Sequence, residues 1–473
     1  MHYFINQAKL AESEIVEDLK RYEKFAREHT PYLIEEMEGV IRGAKVAGYE
    51  IDYYDILLIN CFTAIAWARP AEEFRFDVAD RCTSFAAWGS STSDQKPIMA
   101  INKMLNWIAT YDVILFGFPA EGHGNNFVTV PLAGCVAHNW GANAKGLAFM
   151  LTAEPCFRKG DANYGLLIEF MFRHIIQKCS TFEEAEAFLK TAKQGGSCGS
   201  WFLFDKESNH VVIERTAAHM GIRHCGDLGE KDYIVMANHF VCPEMIASNI
   251  LGKPSGPDVP MIAMSYWRYE NMHQLVKENL GEIDTDVAHT ILRNHDLYDP
   301  ESKQWERDAI ATGKTVCAHT ASLQGSLVLT SAISLPATNE VLILTGQPCG
   351  IGLPGGIGEY AKFKLGSDPS ELNGSLAKES RLQVSLAQFK LANSKDELDL
   401  DEYEVIERYI KKAEDEWWRG LNWEKYAGLS LIDRTPENVR QSNDLYGSAW
   451  TAFAKAQAYA KKAVRLIEEE LSR

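Results

Sequence analysis

Cys82 is the residue whose surroundings could do the most chemistry, in the run Asp80-Arg81-Cys82-Thr83-Ser84-Phe85. A thiol at the start of an apolar strand is ordinarily a small buried hydrophobe. Here a polar, charged stretch from Arg69 to Arg81 precedes it, and such a loop is open to cleavage. A cut between Arg81 and Cys82 would leave one residue carrying both a thiol and a free α-amine. The reference pKa of that amine is about 7.7–8, so near neutral pH it can act as base for its own thiol. Nucleophile and base then reside in a single residue, with no histidine or aspartate relay.

Other reactive side chains fit chemistry less well. His138, His239 and His319 fall near strand ends, and no pair has a metal-ligand spacing, so structural histidines, no metal and no cofactor are expected. Cys317-Ala318-His319 places a thiol and an imidazole two residues apart on one strand face, without the orientation of a catalytic dyad. The glycine-rich Gly350-Ile351-Gly352-Leu353-Pro354-Gly355-Gly356 run is not framed by a strand and a helix, as a phosphate loop requires.

The elements that must position Cys82 come in blocks. Residues 8–48 carry two charged amphipathic helices, and Tyr53–Ala66 is an apolar segment expected to be buried. From Cys82 the pattern turns to strands: Cys82–Gly89, Pro97–Asn102, Phe127–Pro131, Gly134–Asn139 and Leu147–Leu151, with a turn at Asn143–Gly146. A helix near Tyr164–Lys178 follows, then one opening at Thr181 with Glu184 as its capping box. Strands return at Trp201–Phe204, His210–Thr216 and Tyr233–Asn238. Helices follow at Met261–Leu280 and Asp284–Arg293, then strands at Ser326–Ile333 and Glu340–Gly346. Segregated helix and strand blocks predict an α+β layered fold and not alternating βαβ units. Beyond about residue 365 the chain is charged and helical, with tryptophans at 417, 418, 423 and 450. The expected divisions are a helical segment 1–81, a layered domain 82–360 and a helical extension 361–473.

Composition narrows the function. The 473 residues are 46% hydrophobic and 24% charged, with a formal charge of −17. That balance disfavours a nucleic-acid partner. No apolar run is long enough to span a bilayer, so no membrane partner is expected. The ten cysteines lie apart, with no CxxC pair, which points to reduced thiols and a cytoplasmic setting.

The segment Asp80–Asn102 (DRCTSFAAWGSSTSDQKPIMAIN) resembles the C45 family of N-terminal-nucleophile (Ntn) hydrolases, the family of acyl-coenzyme A:6-aminopenicillanic acid acyltransferase, or isopenicillin N acyltransferase. In family order, further stretches are similar. Leu33–Asn60 resembles its propeptide helices, and Gly141–Phe149 its GxNxxGL turn. Met236–Phe240 matches an Asn-His after a late strand, and Ser265–Arg268 a Ser-x-x-Arg helix start. Thr315–His319 and Gly346–Cys349 match its last hairpin region. The resemblance implies an αββα sandwich made as a precursor that cuts itself at Arg81–Cys82. It implies Cys82 as nucleophile and Asn238 as an oxyanion-hole donor, with Asn102, Asn106 and His239 as supports. The family's aspartate after its second strand has no counterpart: Met104 falls at that place, or Asn106 if two residues are inserted. The arginine of a Ser-Arg pair is also missing at Ala321–Ser326, so the penicillin substrate is not carried over. The expected function is an autocatalytically matured cysteine amidohydrolase or acyltransferase acting on a small-molecule amide, as a possible homodimer. Phe85, Trp88, Trp107, Trp140 and Trp201 surround the motifs without a basic cluster, which favours a neutral or cationic substrate. An uncleaved ligand-binding pseudoenzyme and a thioester-dependent N-acyltransferase are the alternatives.

Overall fold

A computed structural model describes residues 11–67, 81–106, 113–154, 158, 160–249, 252–258, 263–310, 312–319, 326–351, 358–366, 368–430 and 435–472. The chain divides into two compact units, Met1–Thr338 and Asn339–Arg473.

In the first unit, α1 (Glu12–His29), α2 (Pro31–Val46), α3 (Tyr53–Asn60) and α4 (Phe62–Trp67) precede the sheets. Ile15, Leu19, Tyr22 and Ala26 recur at helical spacing along α1 and are all buried. They enter one apolar core with Leu33 and Met37 of α2 and Leu57 of α3. One sheet holds β1 (Arg81–Ala87) and β2 (Ile98–Asn106) at its centre, with β12 (Tyr233–Met236) beside β1 and β15 (Ser326–Leu335) beside β2, all antiparallel. The other has seven antiparallel strands in the order β11 (Met220–Arg223), β10 (His210–Arg215), β9 (Cys198–Asp205), β6 (Leu147–Glu154), β5 (Trp140–Asn143), β4 (Phe127–Thr129) and β3 (Leu115–Gly117). Two short pairs, β7 (Leu166–Leu167) with β8 (Gln194–Gly195) and β13 (Leu297–Asp299) with β14 (Gln304–Glu306), complete the strands.

The sheets face each other through β1 and β6, with Trp88 against Phe204 at a 5.2 Å ring separation. The α5 helix (Ile168–Lys178) and α6 (Phe182–Thr191) cover the seven-stranded sheet, and the N-terminal helices join them in the same core. On the other sheet lie α7 (Ala263–Glu278), against β1 and β12, and α8 (Thr285–Leu292), against β2 and β15. The layers therefore run helix, sheet, sheet, helix, as the α+β reading expects.

Helix α6 has the predicted N-cap, with Thr181 Oγ1 accepting from Glu184 N, but the expected capping box is not closed: Glu184 Oε2 accepts from Ser180 N, one residue before the cap. The expected strand Gly134–Asn139 does not form. Asn60 Oδ1 takes the Val136 amide and Asn60 Nδ2 donates to the Gly134 carbonyl, so a side chain satisfies backbone groups that a neighbouring strand would otherwise pair. Among the described residues eight cysteines are free, but Cys198 is disulfide-bonded, so the expectation of reduced thiols throughout fails at that position.

In the second unit, β16 (Glu340–Thr345) pairs with β17 (Ala361–Lys364), and three long helices follow: α9 (Pro369–Asn393), α10 (Leu400–Ser430) and α11 (Pro436–Leu471). Val384, Ile406, Ala413, Ala460 and Ile467 form their shared core. Gln457 of α11 brackets Lys362 by accepting from its amide and donating to its carbonyl. No helix among the described residues is long and apolar enough to cross a membrane.

Candidate active site

Strand register explains how the expected residues meet. In the β1–β12 pair Ser84 lies opposite Met236. Continuing that register two residues beyond β12 brings Asn238 opposite Cys82. The contact is made: Cys82 N donates to Asn238 Oδ1 at 2.7 Å. Both residues are buried, and the Cys82 side chain is fully enclosed.

The orientation of the Asn238 amide follows from its partners. Arg268 Nη2 also donates to Asn238 Oδ1, at 2.8 Å, while Asn238 Nδ2 donates to Ala153 O at 2.6 Å. Two donors converge on one atom and a carbonyl lies by the other, which fixes oxygen towards Cys82. The sequence reading had Asn238 presenting an N–H donor to an oxyanion. In the structure it presents an acceptor to the Cys82 nitrogen, and its N–H is directed to a β6 carbonyl.

The donor that approaches the sulfur is Asn139, which the sequence reading did not single out. Its Nδ2 lies 2.8 Å from Cys82 Sγ. Its Oδ1 is 2.9 Å from His138 Nδ1. Burial, with the Lys103 cation nearby, pushes His138 down to about 3, so the ring is neutral. A neutral ring with its proton on Nδ1 donates to Asn139 Oδ1 and so turns the Asn139 N–H towards sulfur. His138 thus sets the direction of Asn139, a fuller role than the structural histidine expected. The only sequence signal for Asn139 is its place just before Trp140-Gly141-Ala142-Asn143, in the resembling turn stretch.

Side chains alternate along β1, so Cys82 and Thr83 face opposite layers. Cys82 faces the second sheet and shares that side with its cross-strand partner Lys103. Lys103 is buried, and its Nζ donates to Val130 O at 3.1 Å. Thr83 faces the helices, where its Oγ1 accepts from Arg268 Nε at 3.0 Å. Asn102 pairs with Thr83, so it too faces the helices and not Cys82. Its Nδ2 donates to Leu292 O at 2.7 Å and Val316 O at 3.0 Å, and its Oδ1 accepts from Ser331 Oγ. Asn102 therefore holds the end of α8 and the loop at Val316, on the side of the sheet away from Cys82. The side chains of Arg81 and Asn106, both singled out from the sequence, lie outside the described residues, as do residues 68–80 and Trp107.

His239 acts on the opposite side of Asn238. Its Nδ1 is 2.8 Å from Ser265 Oγ, and that oxygen accepts from Asn238 N at 2.7 Å. Burial, reinforced by Arg268 and Arg223, pushes His239 down to about 3. The neutral ring accepts the Ser265 proton, leaving the hydroxyl oxygen to hold the Asn238 backbone. Ser265 and Arg268, one turn apart in the first part of α7, so fix the backbone and the side chain of Asn238 together. The Ser-x-x-Arg signal was visible in the sequence, whereas its target was not.

The aromatic residues near the motifs are mostly packing: Phe85 faces the helices, Trp201 stacks on Phe149, and Trp88 lies against Phe204 and His210. A cleft of about 460 Å³ opens along α7 between His239, Tyr269, Glu270, His273 and Lys277. Cys82, Asn139 and Asn238 are not among its lining residues.

The family model described as acyl-coenzyme A:6-aminopenicillanic acid acyl-transferase matches residues 106–326, and the chain resembles that family. An uncharacterized protein of Archaeoglobus fulgidus is 25% identical over 284 residues, covering 54% of this chain and 46% of that protein. The chain thus spans about half the length of the curated relative it matches. Solved structures similar to it include a mutant conjugated bile acid hydrolase from Clostridium perfringens, with 13% identity, a TM-score of 0.39, and coverage of 56% of this chain and 89% of that one. An N-acylethanolamine-hydrolyzing acid amidase orthologue from Caenorhabditis elegans has 13% identity, a TM-score of 0.35, and coverage of 54% and 93%. Penicillin V acylase from Agrobacterium tumefaciens has 13% identity, a TM-score of 0.34, and coverage of 56% and 83%.

Proposed function

We propose that this chain is a self-processing N-terminal-cysteine amidohydrolase in which Cys82 is the nucleophile. The observation that carries the reading is the pair of contacts on one buried residue: Asn238 Oδ1 on the Cys82 nitrogen and Asn139 Nδ2 on its sulfur. An asparagine that only filled space beside a core thiol would have no need of Arg268 to hold its oxygen against the Cys82 amide.

In the precursor, Cys82 Sγ attacks the Arg81 carbonyl carbon. The bond from that carbon to the Cys82 nitrogen breaks, the thiol proton passes to the departing nitrogen, and a thioester to Sγ remains. Water then adds to the thioester carbon, releasing an Arg81 carboxyl group and regenerating the thiol beside a free α-amine. Asn139, and not Asn238, serves as oxyanion donor in this reading, because its N–H already lies at the sulfur to which the reacting carbon becomes bonded. Asn238 Oδ1 accepts a hydrogen bond from the Cys82 nitrogen before cleavage and from the amine afterwards. The Arg268 cation behind Asn238 disfavours protonation of that amine and keeps it a base.

The mature enzyme repeats the chemistry on an external amide. The amine takes the thiol proton, sulfur attacks the carbonyl, the proton goes to the leaving amine, and water resolves the acyl-enzyme. A neutral or cationic small amide is the substrate class, since a net charge of −17 steers anions away.

The test combines intact mass with a reagent that condenses only with a free 1,2-aminothiol, such as a cyanobenzothiazole. Purified protein should yield fragments of roughly 9 and 44 kDa, scaling 53.0 kDa by 81 of 473 residues, with the larger one labelled at Cys82. An uncut 53.0 kDa chain that takes no label would reject self-processing and favour the uncleaved ligand-binding alternative.

A further inference from the structure

Away from Cys82, three soft donors from two chain segments converge. His295 Nε2 lies 3.1 Å from His319 Nε2, and Cys317 Sγ lies 3.6 Å from that same nitrogen. The three ligand atoms all lie within 4.8 Å of one another. Sequence spacing gave no warning, because His295 sits 24 residues before His319 and follows α8, whereas Cys317 and His319 sit in a loop before β15.

A neutral imidazole Nε2 carries either one proton or one lone pair. If His319 Nε2 accepts from His295, no lone pair is left for the Cys317 thiol, and if it donates to one of them it cannot serve the other. A cation placed between the three satisfies all of them at once. With Zn–N near 2.0–2.1 Å and Zn–S near 2.3 Å, tetrahedral coordination requires N···N edges of about 3.3 Å and N···S edges of about 3.6 Å. The observed 3.1 and 3.6 Å edges fit that frame.

The segments are also pre-set. Cys317 N donates to Asn294 O at 3.0 Å, which joins the two segments beside the donors. One layer back, Asn102 Nδ2 bridges Leu292 O and Val316 O, tying the same segments a second time. Arg268 reaches the loop too, through Nη1 to Gly313 O at 3.4 Å.

We propose that His295, Cys317 and His319 form a binding site for a thiophilic divalent cation, zinc by preference, with the fourth coordination position left to water or another donor. Imidazole and thiolate ligands in a tetrahedral frame select Zn²⁺ over Mg²⁺ or Ca²⁺. The bound ion staples the Val316–His319 loop to the end of α8. That loop carries one carbonyl that anchors Asn102, and the same stretch holds one that anchors Arg268, so the ion stiffens the support behind Asn238 without touching Cys82. Binding releases the Cys317 thiol proton, and affinity rises with pH.

Full-length protein in a Cys82→Ala background, stripped of metal, is titrated with Zn²⁺ against a chromophoric chelator and with Co²⁺ by absorption spectroscopy. The expected result is one equivalent bound per chain, with a thiolate-to-cobalt charge-transfer band and tetrahedral ligand-field bands. Cys317→Ser should weaken the charge-transfer band, and His295→Ala/His319→Ala should weaken binding by about 10²-fold or more. Two results overturn the proposal: no binding equivalent in the parent protein, or a cobalt spectrum and affinity left unchanged by both variants. The parent's own cobalt spectrum keeps the test decisive if a variant fails to fold.

Discussion

Replacing Asn139 with alanine separates the two asparagines at Cys82. The substitution removes the N–H that lies 2.8 Å from Sγ and leaves the Asn238 network intact. If Asn139 Nδ2 stabilises the oxyanion formed at Arg81, its loss raises the barrier by about 2.7–4 kcal/mol, or roughly 10²–10³ in rate. Stability pays separately: His138 Nδ1 loses its partner in a buried site, which costs about 1–3 kcal/mol. The rate effect must therefore be read on folded protein. Self-cleavage suits this purpose because it needs no substrate. Expressed with a cleavable block or captured early after synthesis, the precursor is followed by intact mass over hours, with urea unfolding run in parallel. The expected outcome is an Asn139→Ala precursor that is folded yet cut about a hundredfold or more slowly. Asn139→Asp should be slower still, since a carboxylate then faces a developing thiolate and oxyanion. A folded Asn139→Ala protein cut at the parental rate would refute the oxyanion role and return it to Asn238 or to backbone donors.

Three further outcomes follow from the same geometry. Cys82→Ser should cut slowly and Cys82→Ala not at all, because a hydroxyl remains a weaker nucleophile while a methyl group is none; equal cutting in both, read by intact mass, would assign the cut to another protease. Arg268→Met should keep the apolar volume but remove the donors to Asn238, Thr83 and Gly313 together, slowing self-cleavage by at least the roughly 10–150-fold of the one charged hydrogen bond to Asn238, with Asn238→Asp as a variant that keeps the acceptor; an unchanged rate would make the Arg268 bond incidental. Glu169 of α5, buried against Thr63 of α4, is pushed up to about 7 chiefly by burial. Its folded pKa lies above its unfolded value, so the stability it grants is complete below about 4.5 and is lost as pH rises through about 7. Glu169→Gln should flatten that part of a pH–stability curve from urea titrations, and a parallel curve would refute the burial argument.

The legibility of this protein in its sequence was uneven for physical reasons. Amphipathic spacing in α1 and the Thr181 cap of α6 are local signals, and they located those elements. The Gly134–Asn139 strand was misjudged because its polar backbone groups bond to Asn60, a residue some 75 positions earlier that no local pattern connects to them. Cys82 and Asn238 were found through motif resemblance, and strand register accounts for their meeting. The direction of the Asn238 amide was not accessible, since it depends on Arg268 and the Ala153 carbonyl approaching from different layers. Asn139 was missed for a similar reason: its partner Cys82 lies in the other sheet. Likewise, His295 comes to Cys317 and His319 only through the packing of α8 against β2 and β15.

Strand geometry also bears on the carboxylate that the family's pattern would place after β2. In the unbroken β1–β2 register, Cys82 is opposite Lys103, whereas Met104 is opposite Arg81. Alternation puts Met104 on the helix-facing side of the sheet with Asn102, away from the sulfur. An aspartate at 104 would therefore not face Cys82, and the methionine there is a buried core residue. The residue on β2 that shares the sulfur's side is Lys103, a buried amine whose positive charge favours a thiolate and an oxyanion over their neutral forms. In the proposed mechanism Cys82 is thus supported by amides and cations: Asn139 at sulfur, Asn238 and Arg268 at nitrogen, and Lys103 across the strand. A mechanism built from these groups needs a neutral α-amine as its one titrating base. Its acid limb should accordingly follow the ionisation of that amine and not of a carboxylate.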